Sequence, residues 1–252
     1  MTHSKVGQIN WHDLFTSNRD SSMEFYGHVA NWTYQVERAT DFVWGCGKKN
    51  FILTLSGDEA GARLAETPSS QENGWIAYVE VPDVDAVVKR VDRLGGKIIR
   101  KPFEVPGVGR NALVLDLLAA LFELSLSRHS FPVPRRQFGP EVYVSNGNEL
   151  LQAFYTELFG WQVYSQDKHG LLAPSGEPVA VEQAATWPAG SNAAWVPSVK
   201  VASVFDARRL AETNGARPTF VHVDEMVQSY SGIICDPDGA PFTLDVEQTN
   251  SF

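Results

Sequence analysis

INWHDLFTSNRDSSMEFYGHVANW (Ile9–Trp32) and EVYVSNGNELLQAFYTELFGW (Glu141–Trp161) read as two versions of one stretch. Each opens with alternating, strand-like text, passes a polar turn and enters a helix that carries an aromatic pair. Phe25-Tyr26 falls on Phe154-Tyr155, and Trp32 then falls on Trp161 with no gap, at an offset of 129 residues.

Further along, the match continues at an offset of 120. Trp75 lies on Trp195, Gly95 on Gly215, and LDLLAALFEL (Leu115–Leu124) on CDPDGAPFTL (Cys235–Leu244). Several landmarks in one order with one length change indicate a tandem duplication, and a repeat this long is a domain rather than a solenoid unit. The expected organisation is copy one over residues 1–126, a linker over 127–139 and copy two over 140–252. The linker is placed by SRHSFPVPRRQFGP (Ser127–Pro140), whose prolines favour extended backbone.

Each copy divides again. In copy one, Ser17–Ser21 offers helix N-cap chemistry, and Met23, Tyr26 and Val29 share a helical face. YQVERA, FVWGCG and NFILTLS follow as strand text. The second half repeats the order: strand WIAYVEV, a Pro-Asp cap, and a helix with a stripe of Val84, Val87, Val88, Val91 and Leu94, closed by Gly95-Gly96. Strands KIIRKPF, NALVLD and LFELSL come next. A strand–helix–strands unit written four times predicts an α+β protein in which helices cover one face of a mixed, mostly antiparallel sheet. The other face is then free to curve around a cavity.

With 252 residues, 43% hydrophobic, the chain can bury a core. A net charge of −9 argues against nucleic acid as a partner, and Arg135–Arg136 is too short a basic run to reverse that. Cys46 and Cys235 form neither a disulfide framework nor a CxxC motif. There is no apolar leader and no membrane-length apolar run, so a cytoplasmic protein is expected. GVGR (Gly107–Arg110) lacks the strand–GxGxxG–helix context of a dinucleotide site. DPDG (Asp236–Gly239) reads as a turn.

WHDLFTSNRDSSMEFYGHVANW, GWIAYVEVPDVDAVVKRVDRLGGKIIRKPFEVPGVGRNALVLD and IICDPDGAPFTL together resemble the vicinal oxygen chelate superfamily. This group includes glyoxalase I, bleomycin-resistance proteins and extradiol dioxygenases, and the closest likeness is to its tandem two-domain members. The resemblance covers nearly the whole chain. It implies paired βαβββ modules, each pair forming an open-sided curved sheet around a cavity with helices outside. Active members usually hold one divalent metal there.

The family's ligand positions carry over one at a time. The first-strand position falls on Trp11. The strand closing the first module is sought near NFILTLS, where Thr54 is the oxygen donor. The second-module position falls on Trp75 and the last on Glu123. In copy two the matches are Pro140, Trp195 and Thr243. Indole has no lone pair to offer a metal, so no tight catalytic metal and no cofactor is expected. Should Fe, Mn or Zn be held, His12 and Glu123 would hold it, after a one-residue slip of the first strand. The bland reading of His12 is a histidine packed under the helix. His28 is expected to be partly solvated; His3, His129 and His169 lie in a tail, a linker and a turn, and His222 lies in FVHVDEM.

With the metal gone, Trp11, Trp75 and Trp195 would line a pocket for an aromatic molecule, with Ala77 and Thr243 as further contacts. Asp13 and Glu123 would be its polar anchors, each raising the other's pKa and so available for acid or base work. The expectation is a small-molecule-binding protein of glyoxalase/bleomycin-resistance type, as a pseudo-symmetric monomer or a homodimer. The alternatives are a metal-dependent dioxygenase, lyase or isomerase, and a non-enzymatic interaction protein with filled cavities.

Overall fold

The computed structural model of the protein describes residues 5–39, 49–68, 71, 73–145, 152–164, 170–184, 193–218 and 232–246. The first module comprises β1 (Ile9–Thr16), α1 (Arg19–Ala30), β2 (Thr33–Ala39), β3 (Lys49–Ser56) and β4 (Glu59–Glu66). The second comprises β5 (Gly74–Glu80), α2 (Val84–Arg93), β6 (Lys97–Val105), β7 (Gly109–Leu115) and β8 (Leu121–Ser127). The third comprises β9 (Glu141–Ser145), α3 (Gln152–Phe159), β10 (Gln162–Val163), β11 (Gly170–Leu172) and β12 (Pro178–Ala184). The fourth comprises β13 (Ala193–Val196), β14 (Ser198–Val201), α4 (Val204–Thr213), β15 (Arg217–Pro218), β16 (Ile234–Cys235) and β17 (Pro241–Val246).

Copy one forms a single sheet ordered β2-β3-β4-β1-β5-β8-β7-β6. β1 runs parallel to β4 and β5 parallel to β8, and the two modules meet where β1 lies antiparallel to β5. Copy two repeats the plan as β10-β11-β12-β9-β13 and β14-β17-β16-β15. Its Pro197 stands between β13 and β14, where β5 of copy one is continuous. Proline has no N–H for the ladder, so the strand breaks there.

Local chemistry sets the helix ends. The Asn18 side chain accepts from Ser21 N at 3.1 Å to start α1, and Asp83 accepts from Ala86 N at 3.0 Å to start α2. Gly95 and Gly215 follow α2 and α4 with φ of 89° and 93°, the left-handed geometry that glycine adopts without steric cost.

The helices pair across the copies. α1 packs with α4, and one core joins Phe25, Tyr26, Trp32 and Trp75 to Val199, Ala207, Ala211 and Phe242. α2 packs with α3, joining Val84, Val87 and Val91 to Phe154, Tyr155, Trp161 and Trp195. Each sheet therefore has one face under helices and one without. No helix among the described residues is long and apolar enough to cross a membrane.

The strand plan differs from expectation in one place. The strand that closes the first module is β4, EAGARLAE, rather than NFILTLS, which is β3. Alanine-rich text with a central arginine carries little strand propensity, and only its partners β1 and β3 hold it extended. FVWGCG lies outside the described residues, as do His3, His169 and FVHVDEM.

Candidate functional site

Strand alternation sorts copy one into two sets. Leu14, Ala62, Leu64, Trp75, Ala112, Val114, Phe122 and Leu124 face the helices. Phe15, Ala65, Ile76, Tyr78 and Leu113, with half-buried Trp11, Phe51 and Leu121, form a separate cluster on the helix-free face. Four polar groups share that second face. Asp13 on β1 stands opposite Arg63 on β4, and Tyr78 on β5 opposite Glu123 on β8.

All four are buried, Arg63 the least at 7% exposed. Asp13 accepts three hydrogen bonds: from Arg63 Nη2 at 2.6 Å, from Tyr78 Oη at 2.5 Å and from Trp11 Nε1 at 3.0 Å. Arg63 Nη2 also donates to Tyr78 Oη at 3.0 Å, and its Cζ lies 5.6 Å from the Phe51 ring centre. Burial alone would pull the Arg63 guanidinium down, but the Asp13 charge beside it overrides this and holds it above its ordinary value. Tyr78 is pushed well up, first by burial and then by Asp13 and Glu123, so it keeps its proton.

Glu123 is different. It is fully buried, and neither carboxyl oxygen makes a hydrogen bond of good geometry among the described residues. Its pKa is driven well above the carboxylate range, first by burial and next by Asp13. Arg63, the Tyr78 hydroxyl and Arg100 offset this only in part. Asn111, 2% exposed and facing Ser125 across the β7–β8 ladder, also leaves its Oδ1 without a partner. It shares the face of Leu113, two residues along.

Several expected residues stand elsewhere. Trp75 lies on the helix side of β5, where its Nε1 donates to Tyr26 Oη at 3.1 Å. Trp195 does the same in copy two, donating to Tyr155 Oη at 3.1 Å. Both rings are part of the core between the copies and do not line the helix-free face. Ala77 pairs with His12 on that helix side. Thr54 is buried and accepts from Gln137 Nε2 at 2.9 Å. Thr243 does sit on the helix-free face of copy two, sharing a hydrogen bond of 2.8 Å with Ser198 Oγ.

His12 faces the other copy. Its Nε2 lies 2.5 Å from Glu141 Oε1, its ring stacks on Phe138 at 3.9 Å, and Trp75 approaches edge-on at 6.4 Å. Glu141 is the residue that the duplication places on His12, so the contact joins equivalent positions of the two copies. Nearby, a cavity of about 250 Å³ lies along the seam, lined by Ile9, Trp11, His12, Phe138, Pro140 and Lys200 among others. Arg110 is held at the surface by both oxygens of Asp85 (2.5 and 2.7 Å), and His28 bonds Asn214 at the surface.

The DPDG turn also works at the seam. Asp236 accepts from Asp238 N and Ala240 N and from Tyr26 Oη of copy one, and burial raises its pKa to about 6. Asp116, its counterpart in copy one, accepts from Leu118 N, Ala120 N and Tyr155 Oη of copy two. Asp238 accepts from Thr16 Oγ1, Ser17 N and Ser17 Oγ, each at 2.6 Å.

These side chains do not fit a divalent ion. His12 and Glu123 lie on opposite faces of the sheet, because His12 registers with Ala77 while Glu123 registers with Tyr78. On the helix-free face a guanidinium already neutralises Asp13, which leaves one carboxyl where three donors are the norm. No group of three or more His, Cys, Asp or Glu placed to hold an ion occurs among the described residues.

Sequence reading missed Arg63, Tyr78, Arg100 and Asn111. Arg63 sat on an unrecognised strand. Tyr78 was legible: it lies an odd number of residues from Trp75 and so takes the opposite face. Arg100 registers with Leu113, which registers with Glu123, a relation visible only once β6, β7 and β8 are paired.

No protein-family profile matches the chain. It is 30% identical over 164 residues to CFP32 of Mycobacterium bovis, named as a candidate glyoxylase, spanning 62% of this chain and 61% of that one. It is 28% identical over 137 residues to the anthracycline biosynthesis protein DnrV of Streptomyces peucetius, spanning 48% of each. The chain thus matches less than two thirds of the length of these curated relatives. Among solved structures, the 2,3-dioxygenase LapB of Pseudomonas sp. KL28 superposes with a TM-score of 0.57 at 17% identity, covering 98% of this chain and 94% of that one. The Mn(II)-bound glyoxalase of Novosphingobium aromaticivorans superposes with a TM-score of 0.54 at 16% identity, covering 96% and 83%. At these identities the superpositions speak for the fold.

Proposed function

We propose that this chain, whose motifs and fold resemble the vicinal oxygen chelate superfamily, binds a small, largely apolar or aromatic molecule on the helix-free face of copy one, without the usual metal triad. The observation that carries this reading is the Glu123 carboxyl, fully buried and without a hydrogen bond of good geometry among the described residues, beside an Arg63–Asp13–Tyr78 cluster that is fully hydrogen-bonded at Asp13. A buried polar group without a partner is costly to keep and calls for an explanation. A ligand atom supplies one.

Trp11, Phe15, Phe51, Ile76, Leu113 and Leu121 give the face its apolar wall. Flat aromatic rims favour flat ligands. In this reading Arg63 and Asp13 form a fixed dipole at the floor, Tyr78 holds Asp13 in place, and Glu123 meets the ligand.

The test is a fluorescence titration against a panel of aromatic and quinonoid compounds, in the protein and in Trp11→Phe. Saturable quenching that shrinks in Trp11→Phe is expected; failure of every compound to quench saturably overturns the reading. Metal analysis of protein purified without a histidine tag is expected to show no stoichiometric divalent ion, and one tightly held ion per chain would overturn the metal-free part.

A further inference from the structure

Glu123 is not needed to build its strand. At the matching position copy two has Thr243, whose hydroxyl is satisfied by Ser198 at 2.8 Å. Nor does Glu123 balance a buried cation, because Arg63 is matched by Asp13 at 2.6 Å. The groups that face it from neighbouring strands are Asp13 on β1, Arg63 on β4, Tyr78 on β5 and Arg100 on β6. A second anion would stand beside Asp13, away from water, so the uncharged carboxylic acid is the form this environment favours. A carboxylic acid has one O–H to give, and among the described residues no group takes it in a hydrogen bond of good geometry; the nearby Tyr78 hydroxyl already donates to Asp13 and accepts from Arg63. Asn111 Oδ1 is a further buried acceptor on the same face without a hydrogen-bond partner among the described residues, and no such acceptor occurs among the described residues on the matching face of copy two.

We propose that Glu123 is the hydrogen-bond donor to a carbonyl oxygen of the ligand, so that the site selects neutral aryl ketones and quinones over hydrocarbons and over cations. This rests on the reading that copy one binds its ligand on the helix-free face, and it names the ligand's chemical class. Apolar contact with Trp11, Phe15 and Phe51 would hold the ring, and Asn111 would accept from a hydroxyl on the ring where one is present.

Three probes with one skeleton separate the possibilities: alpha-tetralone with a carbonyl, tetralin without it, and protonated alpha-aminotetralin with an ammonium group. Affinities are measured by calorimetry on the full chain and on Glu123→Gln and Glu123→Met. Gln keeps an N–H donor at the same place. Met keeps the volume, offers no donor and leaves no buried polar group, and its tetralin affinity reports whether the face is intact. Wild type and Glu123→Gln are expected to bind the ketone about tenfold more tightly than tetralin, the worth of one good buried hydrogen bond, and Glu123→Met to bind the two equally. Equal ketone and tetralin affinity in wild type would overturn the donor role while leaving the binding face standing. So would a ketone preference that persists in Glu123→Met. Tightest binding of the ammonium probe would show an ionised Glu123 and overturn it too. Failure of all three to bind would count against the face itself.

Discussion

The helix-free faces of the two copies share a register and differ in chemistry. In copy one, Asp13, Arg63, Tyr78 and Glu123 stand on β1, β4, β5 and β8. The matching positions in copy two are Val142, Val181, Ser198 and Thr243, on β9, β12, β14 and β17. Around them Val144, Val196, Ile233 and Ala194 make an aliphatic floor. The same sheet thus forms over valines as over an ion pair. Burying a matched ion pair is rarely more stabilising than packing apolar groups of similar volume. The polar cluster of copy one therefore cannot be explained as scaffold, and copy two serves as the internal control for that statement.

Writing one face into the other tests it. Arg63→Met alone leaves Asp13 buried with Tyr78 and Trp11 as its only donors, and should cost about 3–5 kcal/mol in urea unfolding. The double change Asp13→Val with Arg63→Val copies Val142 and Val181 and should recover most of that loss. If the double variant is as unstable as the single one, the pair is scaffold after all.

Glu123 gives the next effect, and it depends on pH. Its folded pKa lies well above the unfolded value, so the folded protein retains a proton that the unfolded chain releases. Its contribution is fully present below the unfolded pKa near 4.3 and is lost as pH rises toward the folded value, by up to about 1.4 kcal/mol per pH unit. Glu123→Met removes that slope. Denaturation at pH 5 and pH 8 should show the variant gaining on wild type as pH rises, and a constant difference would mean Glu123 is not held protonated.

The two turns differ as well. In copy two Asp238 ties Thr16 and Ser17 of copy one to the DPDG turn, whereas in copy one the equivalent Leu118 packs on the α2–α3 core. Asp238→Ala should cost about 1–2 kcal/mol, a partly exposed set of charge-assisted bonds being screened by solvent. Tyr143 donates to Asp116 Oδ2 at 2.8 Å where copy one has Leu14, so Tyr143→Phe should cost about 1 kcal/mol. Smallest is Ala119→Gly. Ala119 has φ of 70° where copy two has Gly239 at 95°, and relieving that should raise stability by about 0.5–1 kcal/mol.

Much of the fold was legible. Duplicated landmarks such as Tyr26 and Tyr155, Trp32 and Trp161, Trp75 and Trp195 are the residues that pack the helices on the sheets. The candidate site was legible in half. Asp13, Glu123 and Trp11 lie together on one face; Trp75 and Trp195 do not. WIAYVEV is apolar at both odd and even positions, so its alternation separates two sets without saying which set meets the helices. Arg63 was lost with β4, whose alanines disguise a strand.

From sequence alone came the doubling, the order of the strands and helices it could recognise, and the alternation within those strands. Tertiary structure decided which parity faced which neighbour. It also decided that Tyr26 would reach Asp236 of copy two while Tyr155 reached Asp116 of copy one, and that His12 would meet its own counterpart, Glu141. Periodicity is a property of a chain taken one residue after another. The burial of a face depends on what is packed against it, and here that partner lies more than a hundred residues away.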